Sequence, residues 1–194
     1  MARNITVTFD YRCPFAYNGN ATLMAGADRL DVEPRYLAFS LDQAHVGDGE
    51  PAMWEREPSE WGSGVLALLY GIAARDAFSE VFPAVHLALF AARHDHGRKI
   101  DDVAVLHEAI SGAGADPDAL ADEVANGRPL KTLEAEHTEG VDRWGVWGVP
   151  TFIEGDDAAF VRLMEREDVD DLERVLALLP TTHINEFKRP RIDR

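Results

Sequence analysis

The chain opens on an alternating run, Ile5-Thr6-Val7-Thr8-Phe9, whose β-branched and aromatic positions predict a strand. Asp10 to Pro14 breaks the alternation. Over residues 14–30 the apolar positions Leu23, Ala27 and Leu30 fall at helical spacing, and Pro14 suits a first turn, where its missing N–H costs nothing. After a turn at 31–34, residues 35–39 read as a second strand. Strand, helix and strand in close succession suggest a βαβ unit.

Residues 42–61 are rich in Gly, Pro, Asp and Glu and predict a loop or poorly ordered linker. Helical signals then dominate from 64 to 144. Candidate helices cover 65–75 and 82–93. Another runs from a cap at Asp101 or Asp102 to Ser111. A further one starts at Asp116-Pro117, and the last of the group covers 129–143. Strand character returns at 149–153, with a hairpin turn at 155–157 and a partner strand over 158–163. A final helix starts from Asp168 or Asp170 and ends near Leu179, before Pro180. The order is β-α-β, a long helical stretch, then β-β-α. The economical reading is a discontinuous α/β domain (1–62 and 145–180), a helical insertion (63–144) and a C-terminal tail (181–194).

Composition narrows the function classes. Hydrophobic residues at 46% and charged residues at 28% suit a chain with a globular core. No apolar run approaches the ~20 residues needed to span a bilayer. The first apolar run is too short and polar for a signal-peptide core, so a cytoplasmic location is expected. The net charge of −16 disfavours nucleic acid and anionic membranes as partners. With Cys13 the only cysteine, neither an internal disulfide nor a thiolate-rich zinc site is available.

Cys13 follows a strand and precedes a helix. A thiol there sits near unpaired N–H groups and the positive end of the helix dipole. That setting predicts a lowered pKa, toward the ~3.5–7.5 range of reactive cysteines. Arg12 adds positive charge if it points inward. The competing reading is a buried, inert cysteine.

The segment Phe9-Asp10-Tyr11-Arg12-Cys13-Pro14-Phe15-Ala16-Tyr17 resembles the active-site segment of the DsbA-like branch of the thioredoxin superfamily. Gly145-Val146-Trp147-Gly148-Val149-Pro150-Thr151-Phe152 resembles that family's second motif. There, the residue before a cis-proline faces the reactive cysteine and pairs with substrate backbone. The resemblance covers nearly the whole chain, including the helical insertion. It implies an α/β, thioredoxin-like fold with an inserted all-helical domain. It also implies Cys13 as nucleophile, Pro150 as the cis-proline and Val149 as a source of backbone hydrogen bonds.

Dithiol members carry Cys-Pro-X-Cys, whereas this chain has Cys13-Pro14-Phe15-Ala16. Ala16 cannot close a disulfide, so a mixed disulfide at Cys13 needs an external thiol to resolve it. Residues 184–191 and 36–41 resemble the tail and second strand of mycothiol-dependent nitroreductase-like members, which keep the second cysteine. Cys13-Pro14-Phe15-Ala16-Tyr17 also resembles the Ser-Pro-Tyr-Ala-Tyr pattern of 2-hydroxychromene-2-carboxylate isomerases and kappa-class glutathione transferases. Their serine hydroxyl binds and activates the thiol of glutathione. Arg162-Leu163-Met164-Glu165 stands where the transferase branch has Gly-x-Asp-Arg.

The expected function is thus a thiol-dependent oxidoreductase acting through Cys13 alone. Mycothiol or glutathione would be its cosubstrate, with no tightly bound cofactor and no metal. Pro14, Phe15, Tyr17, Trp147, Val149 and Pro150 would contact substrate. The alternatives are a thiol-binding transferase or isomerase, and a non-catalytic peptide-binding member of the family.

Other features leave choices open. Trp144 and Trp147, with Phe15, Tyr11 and Tyr17, line an apolar groove or simply pack the core. His94-Asp95-His96 reads as a solvated helix end rather than a metal site, because no further ligand cluster accompanies it. His86, His107 or His137 is a candidate base for Cys13. His45 lies in the 42–61 loop. Lys188, Arg189, Arg191 and Arg194 make the tail locally basic, suited to docking on the acidic body or to a frayed end.

Overall fold

The architecture is built around β1 (Arg3–Phe9), the strand predicted from the opening alternation. The computed structural model describes residues 2–181 and 183–186. α1 (Pro14–Gly26) carries the chain across to β2 (Val32–Ala38), which runs parallel to β1 from Arg3↔Val32 to Phe9↔Ala38. β3 (Thr151–Glu154) lies antiparallel on the other side of β1, and β4 (Asp157–Phe160) returns beside β3. The sheet order is β2-β1-β3-β4. Gly155 takes φ of 62° in the β3–β4 turn, a left-handed conformation that suits a residue without Cβ.

β2 begins earlier than residue 35 and includes Pro34. It is an edge strand, where a proline's missing donor can face outward at no cost to the ladder. The 42–61 segment is more ordered than its composition predicts. It holds short 3-10 turns at Gln43–His45, Met53–Glu55 and Pro58–Glu60, and Met53 is buried in the main core. The Met53 amide donates to Gln43 Oε1 at 2.6 Å, which pins the segment across its middle.

Between the sheet halves run α2 (Val65–Ala77), α3 (Phe82–His94), α4 (Val103–Gly112), α5 (Pro117–Ala125) and α6 (Arg128–Trp144). Asp102 and Asp116 cap α4 and α5 by accepting from Ala104 N at 2.9 Å and Asp118 N at 3.0 Å. α7 (Val169–Leu178) closes the described fold, capped by Asp168, while Asp170 pairs instead with Arg29. No described helix is long and apolar enough to cross a membrane.

Two apolar clusters hold these elements. Ile5 and Val7 of β1 pack with Leu23 of α1, Phe152 of β3, and Leu172 and Leu176 of α7. The larger cluster joins Phe9, Tyr11 and Phe39 to Leu68 and Ile72 of α2 and to Leu89 and Phe90 of α3. The second cluster fixes the end of β1, and with it the residues that follow, against the helical segment. The predicted tail, including its four basic residues, lies outside the described residues apart from Thr181 and 183–186.

Candidate active site

β1 ends at Phe9, and the next residue anchors the turn. Asp10 is fully buried; its carboxylate accepts from Arg12 N at 2.8 Å and Leu41 N at 2.8 Å. The same carboxylate therefore ties the turn before Cys13 to the chain leaving β2. Burial pushes the Asp10 carboxyl up to about 6, against the pull of those two amides. Arg12 turns to an ion pair with Asp42. Gly64 makes room for both: a Cβ there would lie 2.6 Å from Arg12 Cδ and 3.0 Å from Asp10 Oδ1.

The Cys13 amide donates to Asp10 O at 3.0 Å, and Cys13 occupies the N-cap of α1 with extended backbone. Pro14 takes the first helical position and is exposed. The half-buried Cys13 thiol donates to Val149 O at 3.2 Å, across 136 residues of sequence. The Val149–Pro150 peptide bond is cis. Thr8 Oγ1 accepts from Thr151 N at 2.7 Å, and Thr151 Oγ1 donates to Gly148 O at 2.8 Å, so both sides of this segment are held. Gly19 of α1 permits its close approach, since a Cβ there would lie 3.0 Å from Pro150 Cγ.

The electrostatic balance at Cys13 corrects one expectation. A helix N-terminus predicts a lowered thiol pKa, but burial is the larger effect and pushes the thiol up from its ordinary value. The amides of Ala16 and Phe15 and the Arg162 guanidinium pull it back, while Asp10 pushes it further up. The sulfur is accordingly a neutral donor to Val149 O. As a thiolate it would face the Phe15 and Ala16 amides.

The aromatic residues divide. Tyr11 is fully buried, and its hydroxyl meets His86 Nδ1 at 2.7 Å. Tyr17 is buried, stacked on Phe90 with centroids 5.1 Å apart, and donates to Asp95 Oδ2 at 3.0 Å. Tyr17 therefore packs α1 on α3, and Tyr11 packs the turn before α1 on the same helix. Trp144 donates to Gly155 O at 3.0 Å. Phe15 and Trp147 keep exposed surface: Arg162 lies 5.2 Å from the Phe15 ring, and Trp147, 68% exposed, meets Phe160 in a tilted contact with centroids 4.5 Å apart.

None of the three candidate bases has Cys13 as its partner. His86 bridges Tyr11 and Asn20 in the core, His107 meets the Tyr70 hydroxyl at 2.9 Å, and His137 stacks on Phe39. The end of α3 is more than a solvated terminus. His94 Nε2 donates to Tyr11 O at 2.9 Å, and Asp95 accepts from Tyr17 and from Arg166 at 2.9 Å. Sequence reasoning missed Asp10 and Asp95 as organisers of the site. Asp10 had a local signal, three residues before Cys13 in a turn; the partners of Asp95 are too distant in sequence to show.

A strand leading to a cysteine-capped helix, with a proline-containing segment from beyond a helical insertion facing the sulfur, defines a thioredoxin-like domain. The chain belongs to the DSBA-like thioredoxin domain family, whose profile matches residues 4–177. It is 26% identical over 148 residues to an uncharacterised protein of Mycobacterium tuberculosis, covering 76% of this chain and 63% of that protein. The matched region thus spans less than two thirds of that relative. Among solved structures it is similar to the cytosolic disulfide reductase DsbM from Pseudomonas aeruginosa with GSH. That likeness has a TM-score of 0.66 and 20% identity, and covers 90% of this chain and 97% of the other. It is also similar to a 2-hydroxychromene-2-carboxylate isomerase, with a TM-score of 0.60, 19% identity, and coverage of 91% and 96%. At these identities the likenesses establish the fold.

Proposed function

We propose that the protein is a monothiol disulfide-exchange enzyme with Cys13 as its sole nucleophile. The observation that carries the reading is the Cys13 sulfur, held 3.2 Å from Val149 O at the start of α1. Deprotonated Cys13 attacks one sulfur of a disulfide; a mixed disulfide forms and the other sulfur leaves as a thiol. Cys13 is oxidised and the departing sulfur reduced. Ala16 offers no second thiol, so a low-molecular-weight thiol, glutathione or mycothiol, attacks the mixed disulfide and regenerates Cys13. Pro14, Phe15 and Trp147 present surface to substrate, and Val149 and Pro150 present backbone. Tyr17 acts through its packing on α3. A single thiol working in this way suits a reducing compartment, and we place the protein in the cytoplasm.

One observation favours a second reading. A protonated Cys13 that donates a hydrogen bond can take the part of the serine hydroxyl in isomerase-like and transferase-like relatives, holding a bound thiol without reacting with it.

Intact-mass analysis of the folded protein with oxidised glutathione tests both. One glutathione adduct per chain, absent in Cys13→Ser and released by reduced thiol, is expected. No adduct on folded protein, while the urea-unfolded chain reacts, overturns the exchange reading. Accelerated thiol conjugation to an electrophile under those conditions then favours the second.

A further inference from the structure

The residues on either side of Cys13, Arg12 and Pro14, form one wall of an open cleft of about 640 Å³. Its other wall is the last turn of α3, with Arg93 and His94, and the α3–α4 connection, with Arg98, Lys99 and Asp101. A volume in this range suits a small molecule. Its charge is anomalous for this protein. Four permanent cations and one carboxylate line it, on a chain whose net charge is −16 and which has only three lysines. Arg12 is paired with Asp42 and Arg98 with Glu108 at 2.9 Å, but among the described residues Arg93 and Lys99 have no ion-pair partner.

Cations gathered against an opposing overall charge produce a local field that attracts anions and repels cations. Cys13 itself does not line the cleft, but both of its chain neighbours do, so the cleft lies within reach of a molecule whose sulfur meets Cys13.

We propose that this cleft binds the carboxylate of the sulfur compound that reacts at Cys13, so that the site selects carboxylate-bearing disulfides or thiols over uncharged ones. The inference deepens the exchange reading and rests on it. Of the two cosubstrates considered, glutathione carries carboxylates and mycothiol carries none, so glutathione-like chemistry is favoured.

The test compares rates of mixed-disulfide formation on Cys13 with three symmetric disulfides: dithiodipropionate (anionic), hydroxyethyl disulfide (neutral) and cystamine (cationic). Rates are followed by intact mass and divided by those of N-acetylcysteine amide, which removes intrinsic reactivity. The second step is measured with the matching thiols releasing a preformed neutral adduct. In either step, the anionic compound is expected to exceed the neutral one by about tenfold at low salt, with the cationic compound slowest. The order should collapse toward unity in 1 M salt, where the screening length is ~3 Å. The Arg93→Glu/Lys99→Glu double variant should lower the anionic-to-neutral ratio at least fivefold. Lys131→Glu, an equal charge change per site on the exposed face of α6, should leave the ratio as it was. Preference in the first step assigns the cleft to the disulfide substrate, and preference in the second assigns it to the resolving thiol. Reaction with all three disulfides at equal normalised rates in both steps, or a cationic preference, overturns the inference and leaves the exchange reading standing. Reaction with none overturns the exchange reading itself.

Discussion

At the scale of the residue, the site turns on two weak acids, the half-buried thiol of Cys13 and the fully buried carboxyl of Asp10. Burial raises the Cys13 thiol above its ordinary pKa, against the amides of Phe15 and Ala16. The alkylation rate of the folded protein should therefore rise with pH to a midpoint above the ~8.5 of a free thiol. Arg162→Ala, which removes a cation that favours the thiolate, should move it higher still. Iodoacetamide kinetics across pH 6 to 10 measure both. A midpoint below the free-thiol value would show that the helix terminus outweighs burial. Asp10 titrates at about 6 in the fold against an ordinary value of 3.8. The folded chain thus keeps a proton that the unfolded chain has released between about pH 4 and 6. The Asp10 contribution to stability is greatest below that window and declines as pH rises through it, by about 3 kcal/mol in all. Asp10→Asn removes the titration and can satisfy only one of the two amides that Asp10 accepts from. Urea denaturation of both proteins from pH 4 to 7 should show the native chain's advantage shrinking as pH rises. Parallel profiles would contradict the assignment.

At the scale of the element, close contacts between α2 and Tyr11, two residues beyond β1, set how the helical segment meets the sheet. A Cβ at Gly71 would lie 2.1 Å from the Tyr11 hydroxyl oxygen and 2.8 Å from two ring carbons. Tyr11 has little freedom to yield, because its hydroxyl engages His86 and its ring packs on Phe9 and Phe90. Gly71→Ala should cost about 3 kcal/mol, at the upper end for overpacking, read as a lowered urea midpoint. A loss under 0.5 kcal/mol would mean that the Tyr11 ring moves freely. The elements themselves were largely legible in sequence. Ile5 to Phe9 alternates, Pro14 marks the start of α1, and Asp116-Pro117 marks α5, since each signal is local. The early start of β2 was hidden because Pro34 argues against a strand unless its place at the sheet edge is known. The packed 42–61 segment was hidden because a single buried methionine, Met53, holds what composition describes as a linker. At the site, the Cys13 position and the Val149-Pro150 motif were readable. The sign of the thiol shift was not, because burial depends on elements brought in from across the chain. The cationic cleft was invisible for the same reason: Arg12 and Arg93 become neighbours only through the packing of α3 beside α1.

At the scale of the whole molecule, a chain of net charge −16 buries two of its seven histidines in its core. His86 and His137 are buried and held neutral, with pKa values lowered to about 3 and about 4, while an unfolded histidine titrates near 6.5. Desolvation is the leading cause for both, and the Arg75 cation adds to it for His86. Their contribution to stability is complete above the unfolded value and is lost as pH falls below it, because the unfolded chain then binds protons that the folded chain refuses. Asp10 works in the opposite direction over part of that window, but it is one group with a smaller displacement. Acid also relieves the repulsion of the acidic surface, so the comparison belongs in 1 M salt, where that repulsion is screened. Under those conditions, lowering the pH from 7 to 4.5 should reduce the free energy of unfolding by about 3 kcal/mol. His137→Gln keeps an acceptor for the Ser40 amide, which His137 Nδ1 holds at 3.2 Å, but has no proton to take up. Its profile should be flatter than that of the native chain, whatever its absolute stability. A native profile that stays level or rises on acidification in high salt would show that the buried imidazoles gain protons without unfolding, and that the core around Tyr11 and Phe39 admits charge.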